Sequence, residues 1–311
     1  MGLYIGIDGG GTKTKCVLAD DQLKIIASAQ AGATNPFSVG INNSSEILFG
    51  LIQNVLKKVG GSSVSSVVIG LAGAGIKNNS EKLKKHLKSL AEQDGIFLNR
   101  IKVLNDAEIT LEGAFAGNAG IILIAGTGSI VLGKNNGGQF FRVGGFGKII
   151  GDEGSGYSIG RKGLQCISKN FDGRGGKTLL TKIVTKKFGI NNNEELIAKV
   201  YSSNFNVAGF AEYVIDAARL GDKTSREILM YESDELINHI FPLYEILGSI
   251  KINLCFSGGL LLSKNYYSNL LRRKIKKVFK DIQIKQIIYP PEIGAVLLSQ
   301  NFQSLKSLNK K

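Results

Sequence analysis

Apolar and polar positions alternate along this chain in two successive cycles. In the first, residues 3–8 (LYIGID) and 14–19 (TKCVLA) are short runs rich in β-formers and read as strands. Residues 44–59 instead place Ile47, Leu48, Leu51, Ile52, Val55, Leu56 and Val59 on one stripe of a helix. A strand at 65–71, a basic helix near 79–93, a strand at 100–104 and a helix from about Ala107 to Ala116 follow. Strands that alternate with helices predict a mostly parallel sheet in an α/β layer.

The second cycle restarts the pattern. Strands are predicted at 121–125, 130–133 and 139–144, joined by glycine turns, and residues from about 153 to 250 are helical in pattern. A strand at 252–256, a helix from about Lys264 to Phe279, a strand at 284–288 and a last helix from Pro291 complete the chain. Pro291 suits a first helical turn, where its missing N–H leaves no bond unmade. No low-complexity tether separates the cycles, so a helix-containing crossover near 106–120 is expected to join them.

Composition narrows the class. The 311 residues are enough for two domains, and 43% hydrophobic with 21% charged residues suits a globular protein with buried cores. Gly 40 against Pro 4 calls for many close-approach backbone positions and few stiff linkers. No apolar run nears the roughly 18 residues of a membrane span, and a strand-like run beginning at Leu3 leaves no room for a signal peptide. Cys16, Cys166 and Cys255 are odd in number and far apart, which argues against a disulfide framework. A cytoplasmic protein with no membrane partner is expected. The net charge of +14 suggests a polyanion partner, but its lysines fall on polar helix faces at Lys82, Lys84, Lys85 and Lys88 and again from Arg272 to Lys280. No aromatic residues interleave as a nucleic-acid surface requires, so solvated faces are expected and no nucleic acid.

The stretch GIDGGGTKTK (6–15) is one residue pair away from a P-loop: Gly6 and Gly11 have the right separation, but Thr12-Lys13 stands where Lys then Ser or Thr is needed. P-loops and dinucleotide fingerprints also lead into a helix, whereas here the next residues, Thr14 to Ala19, make a strand. The element is therefore a β-hairpin with a glycine turn. IILIAGTGSIVLG (121–133) repeats the design, with Gly126-Thr127-Gly128-Ser129 as the turn. Two such turns predict a polyphosphate clamp, with Gly9, Gly10, Gly11, Thr12 and Lys13 in one jaw and Gly126, Thr127, Gly128 and Ser129 in the other. Glycine lets backbone N–H groups approach oxygen closely, and Thr12, Thr127 and Ser129 add hydroxyls. A third glycine turn, Ser257-Gly258-Gly259, lies between a strand and a helix, where adenosine could sit; by itself it equally suits a tight strand-to-helix turn.

IGIDGGGTKTK, AGTGS and FSGG together resemble the phosphate and adenosine motifs of the superfamily that joins sugar kinases, actin and the large heat-shock ATPases. GATNPFSVG (32–40), LNDAEITLEGAF (104–115), VGGFGKIIGDEGSGYSIGRKGL (143–164) and PPEIGAV (290–296) resemble the N-acetylglucosamine kinase family and its relatives, the broad-specificity hexokinases and glucosamine kinases. The resemblance spans nearly the whole chain. It implies duplicated ribonuclease H-like, actin-like ATPase domains with a cleft between them and a helical insertion in the second half. The first domain would be 1–116, rejoined by a C-terminal helix over 291–311, and the second 117–290.

The carboxylates are sorted by context. Asp8 ends the first strand beside the first glycine turn, a natural place to hold Mg²⁺ through water. Asp106 ends a strand at a helix start, where open α/β sheets place ligands, and the family puts its general base in the same Asn-Asp-Ala context. Its plain alternative is an N-cap. By analogy Asp152, followed by Glu153 in a glycine-dense loop, binds the sugar together with Asn35, Asp106, Gly128 and Gly145; Asn35 could instead serve only as a turn former before Pro36. His86 and His239 have no spaced partners and are expected on helix faces. The resemblance thus implies an ATP- and Mg²⁺-dependent kinase phosphorylating the 6-hydroxyl of a hexose or amino sugar, most naturally N-acetylglucosamine or glucosamine, and by analogy a homodimer. Three alternatives remain: a kinase for glucose or N-acetylmuramic acid, an iron–sulfur activator of a 2-hydroxyacyl-CoA dehydratase, and a chaperone-like actin relative. The activator requires paired cysteines that this spacing does not offer.

Overall fold

The structure, a computed structural model, describes residues 2–61, 63–73, 77–202, 204–248 and 251–302. In chain order the first elements are β1 (Tyr4–Gly9), β2 (Thr14–Ala19), β3 (Ile25–Ala31), α1 (Pro36–Val39), α2 (Ile41–Lys57), β4 (Ser63–Val64), β5 (Ser66–Leu71) and α3 (Lys77–Gln93). Then come β6 (Phe97–Leu98), β7 (Ile101–Asn105), α4 (Asp106–Ala114), β8 (Gly120–Ala125), β9 (Ser129–Lys134) and β10 (Phe140–Gly144). Helices α5 (Gly156–Phe171), α6 (Leu179–Phe188), α7 (Asn193–Val200), α8 (Ala211–Arg219) and α9 (Lys223–Leu247) form the helical stretch. The chain closes with β11 (Ile252–Ser257), α10 (Gly259–Leu262), α11 (Tyr266–Val278), β12 (Ile282–Lys285) and α12 (Pro291–Gln300). The expected last helix reaches 311, but residues 303–311 lie outside the described ones. Among the described residues, no helix is long and apolar enough to cross a membrane.

The chain divides into two compact units. The first runs to Gly120 and adds Lys134–Phe140 and the chain from Gln286; the second holds Ile121–Gly133 and Phe141–Lys285. Each is built on a five-stranded sheet, the duplicated α/β architecture that the sequence resemblance implies.

In the first unit the strand order is β3-β2-β1-β5-β7. β1, β2 and β3 pair antiparallel, while β1, β5 and β7 run parallel. Because strand side chains alternate, Ile5, Ile7, Cys16, Leu18, Val67, Ile69 and Leu71 share one face and bury against Leu48, Ile52 and Val55 of α2 and Leu83 and Leu87 of α3. The opposite face carries Tyr4, Gly6 and Asp8 with Val17, Ala19 and Val68, and α4 and α12 cover it through Ile109, Ile293, Ala295 and Val296. The cover is close. A β-carbon on Gly6 would stand 2.1 Å from the Glu292 carbonyl oxygen, and one on Gly294 would stand 1.9 Å from the Ile109 carbonyl oxygen. Neither position admits a side chain without parting helix from sheet or helix from helix.

The second unit has the order β10-β9-β8-β11-β12, with β8, β11 and β12 parallel. Ile121, Leu123, Leu254 and Phe256 of its sheet merge with Ile159, Leu164, Leu236, Ile240 and Tyr267 of the helices into one core.

Two readings of the sequence change here. Strand β3 escapes the sequence pattern because it is an edge strand: Ile25 and Ile26 point largely to solvent and only Ala27 is buried. The strand expected at 284–288 ends instead at Lys285. Beyond it the backbone is drawn off to α4, where the Ile288 and Tyr289 N–H groups donate to the Ala114 and Gly113 carbonyls at 3.2 and 3.0 Å.

Candidate active site

The first glycine turn is the hairpin its sequence implies. Asp8 faces Lys15 and Gly9 faces Thr14 across the β1–β2 ladder, and the Gly10 N–H closes the turn on the Lys13 carbonyl at 3.1 Å. Gly11, Thr12 and Lys13 form its exposed tip. The chain after β3 returns to brace this turn. Thr34 donates its N–H to the Gly10 carbonyl at 3.0 Å, and its buried hydroxyl shares a 2.8 Å hydrogen bond with Thr14 Oγ1. Asn35 follows directly. Its side chain caps α1, accepting the Phe37 N–H at 3.0 Å, so the turn-forming role foreseen for it is realised.

Asp106 is not the N-cap. Asn105 takes that part, accepting from the Ala107 N–H at 2.9 Å in a capping box with Glu108. Asp106 is left at the first helical position, where only its Oδ1 bonds the Ala107 N–H, at 3.0 Å. Burial pushes its carboxyl above the usual range, against the lowering effect of that N–H. Asp8 is pushed up to about 6, first by burial and then by the charges of Glu292 and Asp106; Lys15 and Lys13 pull the other way. Asp8, Asp106 and Glu292 thus converge at the carboxyl end of the parallel strands, the two helix-borne acids at the positive ends of α4 and α12. Among the described residues, no three acidic, histidine or cysteine side chains are grouped so that together they could hold a metal ion.

A pH dependence follows. Asp8, Asp106 and Glu108 are all raised, so the folded chain binds their protons more tightly than the unfolded chain does. The stability they contribute is complete below the unfolded carboxylate range near pH 4 and is lost as pH rises through the folded values, about 6 for Asp8. Metal-free protein is therefore expected to lose melting temperature between about pH 4.5 and pH 7, and Asp8→Asn to flatten that decline. Equal slopes in wild type and variant would remove Asp8 as its source.

In the second unit the other turns interlock. Gly126 donates its N–H to the Gly128 carbonyl at 2.9 Å, while the Gly126 and Thr127 carbonyls accept the first N–H groups of α5, from Gly156 at 2.8 Å and Tyr157 at 3.2 Å. Gly128 lies against Asp152: a β-carbon there would meet Asp152 Oδ2 at 2.8 Å, so a side chain at 128 would displace that carboxylate. Ser129 donates its N–H to Asp152 Oδ1 at 3.4 Å and its hydroxyl to the Glu153 carbonyl at 2.6 Å. Asp152 itself is a non-glycine residue at φ +60°, a strained conformation its surroundings must hold. Gly145 also has a positive φ and abuts Ile130 of β9. Ser257 ends β11 next to β8 and Gly259 opens α10, and Gly258 between them is pressed against the Ala125 carbonyl. Thus the Gly126–Ser129 turn, the loop holding Asp152 and the third glycine turn form one assembly.

Sequence reasoning assigned no role to the anchor of this assembly. Glu232 of α9 is 0% exposed, accepts the Gly154 N–H at 2.5 Å and the Ser158 hydroxyl at 2.7 Å, and pairs with Lys162 at 3.1 Å. Tyr267 donates to the Gly154 carbonyl from the other side at 3.0 Å. His239 packs on Gly144 and stands 3.4 Å from Glu153, so it faces the loop and not solvent. Glu292, in the first turn of α12, was the other acid left without a role; an acid at the head of an otherwise apolar helix is the signal that marks it.

The sequence model of the BadF/BadG/BcrA/BcrD ATPase family matches residues 5–299. The chain belongs to that family. The chain is 33% identical over 308 residues to the N-acetylmuramic acid/N-acetylglucosamine kinase of Clostridium acetobutylicum, covering 97% of this chain and 99% of that one. It is 32% identical to the N-acetyl-D-glucosamine kinase of Dictyostelium discoideum, with 96% and 98% covered. Among solved structures, a Chromobacterium violaceum protein provisionally named an N-acetylglucosamine kinase superposes with a TM-score of 0.72 at 25% identity, covering 96% of this chain and 99% of its own. Both glycine hairpins of this BadF-type ATPase fall inside the matched range.

Proposed function

We propose that this chain is an ATP-dependent amino sugar kinase that transfers the γ-phosphoryl group of ATP to the 6-hydroxyl of N-acetylglucosamine or glucosamine. The observation that carries the proposal is Asp106: a carboxylate at the end of a parallel strand, relieved of capping by Asn105 and raised by burial toward the basicity a general base needs. The names of the relatives supply the substrate class.

Phosphoryl transfer needs positioning and charge neutralisation more than covalent chemistry. Asp106 would accept the proton of the attacking hydroxyl. Asn35, Asp152, Gly128 and Gly145 would orient the sugar. The amides and hydroxyls of Gly9–Lys13 and Gly126–Ser129 would cradle the phosphates, and Ser257, Gly258 and Gly259 would meet the adenosine. Mg²⁺ fits the first unit, where buried, crowded carboxylates want a cation; Asp8 would hold it through water. When bound, such an ion neutralises β- and γ-phosphate charge.

N-acetylmuramic acid is a second candidate substrate because the Clostridium relative is named for it as well. The iron–sulfur activator finds no support in the cysteines: Cys16 and Cys255 are buried, and burial pushes the Cys255 thiol up to about 11, away from the thiolate a cluster needs. The deciding experiment is coupled ADP release with N-acetylglucosamine, glucosamine, N-acetylmuramic acid and glucose in parallel. Turnover is expected to rise well above the sugar-free rate with at least one amino sugar. ATP hydrolysis indifferent to every sugar would end the kinase proposal.

A further inference from the structure

Glu292 is 7% exposed, and its Oε2 has no hydrogen-bond partner among the described residues. Its Oε1 meets Lys15 Nζ at 3.4 Å, a loose contact for an ion pair. A pair that existed for its own sake would engage the carboxylate more closely; leaving one oxygen buried and bare is costly. The position of that oxygen says what it awaits. Lys15 lies directly across the ladder from Asp8. The Glu292 carbonyl rests on Gly6, two residues before Asp8 on the same face of β1. No other charge raises the Asp8 carboxyl as much as that of Glu292. Asp8 and Glu292 therefore lie close together near the end of β1, beside the exposed turn of the first hairpin, with one oxygen of Glu292 unused.

We propose that Glu292 is a second water-mediated anchor for the divalent cation, its bare oxygen accepting from the ion's hydration shell beside Asp8. The proposal rests on the kinase reading, because the ion concerned is the one that accompanies ATP. Divalent ions of this size keep most of their waters and reach a protein through one or two carboxylates plus phosphate oxygens, so an outer carboxylate suits them. Outer partners of this kind typically govern metal affinity by about 10- to 100-fold.

The test uses Mn²⁺ as the probe, titrated into the full chain at saturating ADP with free Mn²⁺ read by its EPR signal. Glu292→Gln is expected to weaken Mn²⁺ binding by about tenfold. Lys15→Met is expected not to weaken it, since removing a positive charge favours a cation. Superimposable wild-type and Glu292→Gln curves would overturn the proposal. So would Lys15→Met weakening binding as much as Glu292→Gln, which would reduce Glu292 to a partner of Lys15. Should Glu292→Gln fail to fold, Glu292→Asp retains the charge but shortens its reach: weaker binding supports the proposal and unchanged binding overturns it. Sugar-dependent ADP release by the same wild-type preparation separates the two ideas. Its absence ends the kinase reading whatever the titration shows, while normal turnover beside unchanged Mn²⁺ binding in Glu292→Gln ends only the role of Glu292.

Discussion

Asp106→Asn is expected to lower kcat for the preferred sugar by about 10²- to 10⁴-fold, the usual worth of a positioned general base. The substitution isolates chemistry from folding. Asparagine keeps the size and an oxygen to accept the Ala107 N–H, and Asn105 caps α4 independently. The melting temperature at neutral pH should therefore not fall, since the substitution removes a carboxylate that burial disfavours, and the KM for ATP should change little. Sugar-dependent ADP release by wild type and variant, beside thermal melts of both, is the measurement. A folded variant that turns over at the wild-type rate would show that another group takes the proton.

Glu232→Ala is expected to cost about 3–5 kcal/mol of stability, the range for breaking a buried pair by removing one partner. Three groups lose their acceptor together: the Gly154 N–H, the Ser158 hydroxyl and the Lys162 ammonium. The first two lie in or just after the loop that holds Asp152 at positive φ. Conditions that leave the variant folded should thus show a raised sugar KM as well as a depressed melting temperature. A melt within about 1 kcal/mol of wild type would mean that water or a neighbour replaces the carboxylate.

How far the sequence reached depended on whether a signal was local. Each glycine hairpin is a contiguous string in which β-formers flank a turn, so strand, turn and strand could be read in place. Asn105 and Asp106 are adjacent and both suit a cap; only the backbone settles that the first caps and the second is free for other work. Glu232 and Glu292 stayed silent because their meaning lies in distant partners. Gly154 is 78 residues from Glu232, and Lys15 is 277 residues from Glu292. An acid in a helix looks solvated until the fold brings donors to it. The aspartates stand beside glycine turns, in a glycine-dense loop or at strand ends, and in the structure Asp152, read from its own loop, is packed against Gly128 of a different turn.

The α12 helix covers a sheet whose strands are all made early in the chain, and the whole second unit is translated before it. Until it emerges from the ribosome, Val17, Ala19 and Val68 have no cover from it, and Gly6 offers an open groove in the strand. The first sheet thus lacks the cover of α12 until the chain is almost fully synthesised, and its face is a stretch that a holdase chaperone could shield.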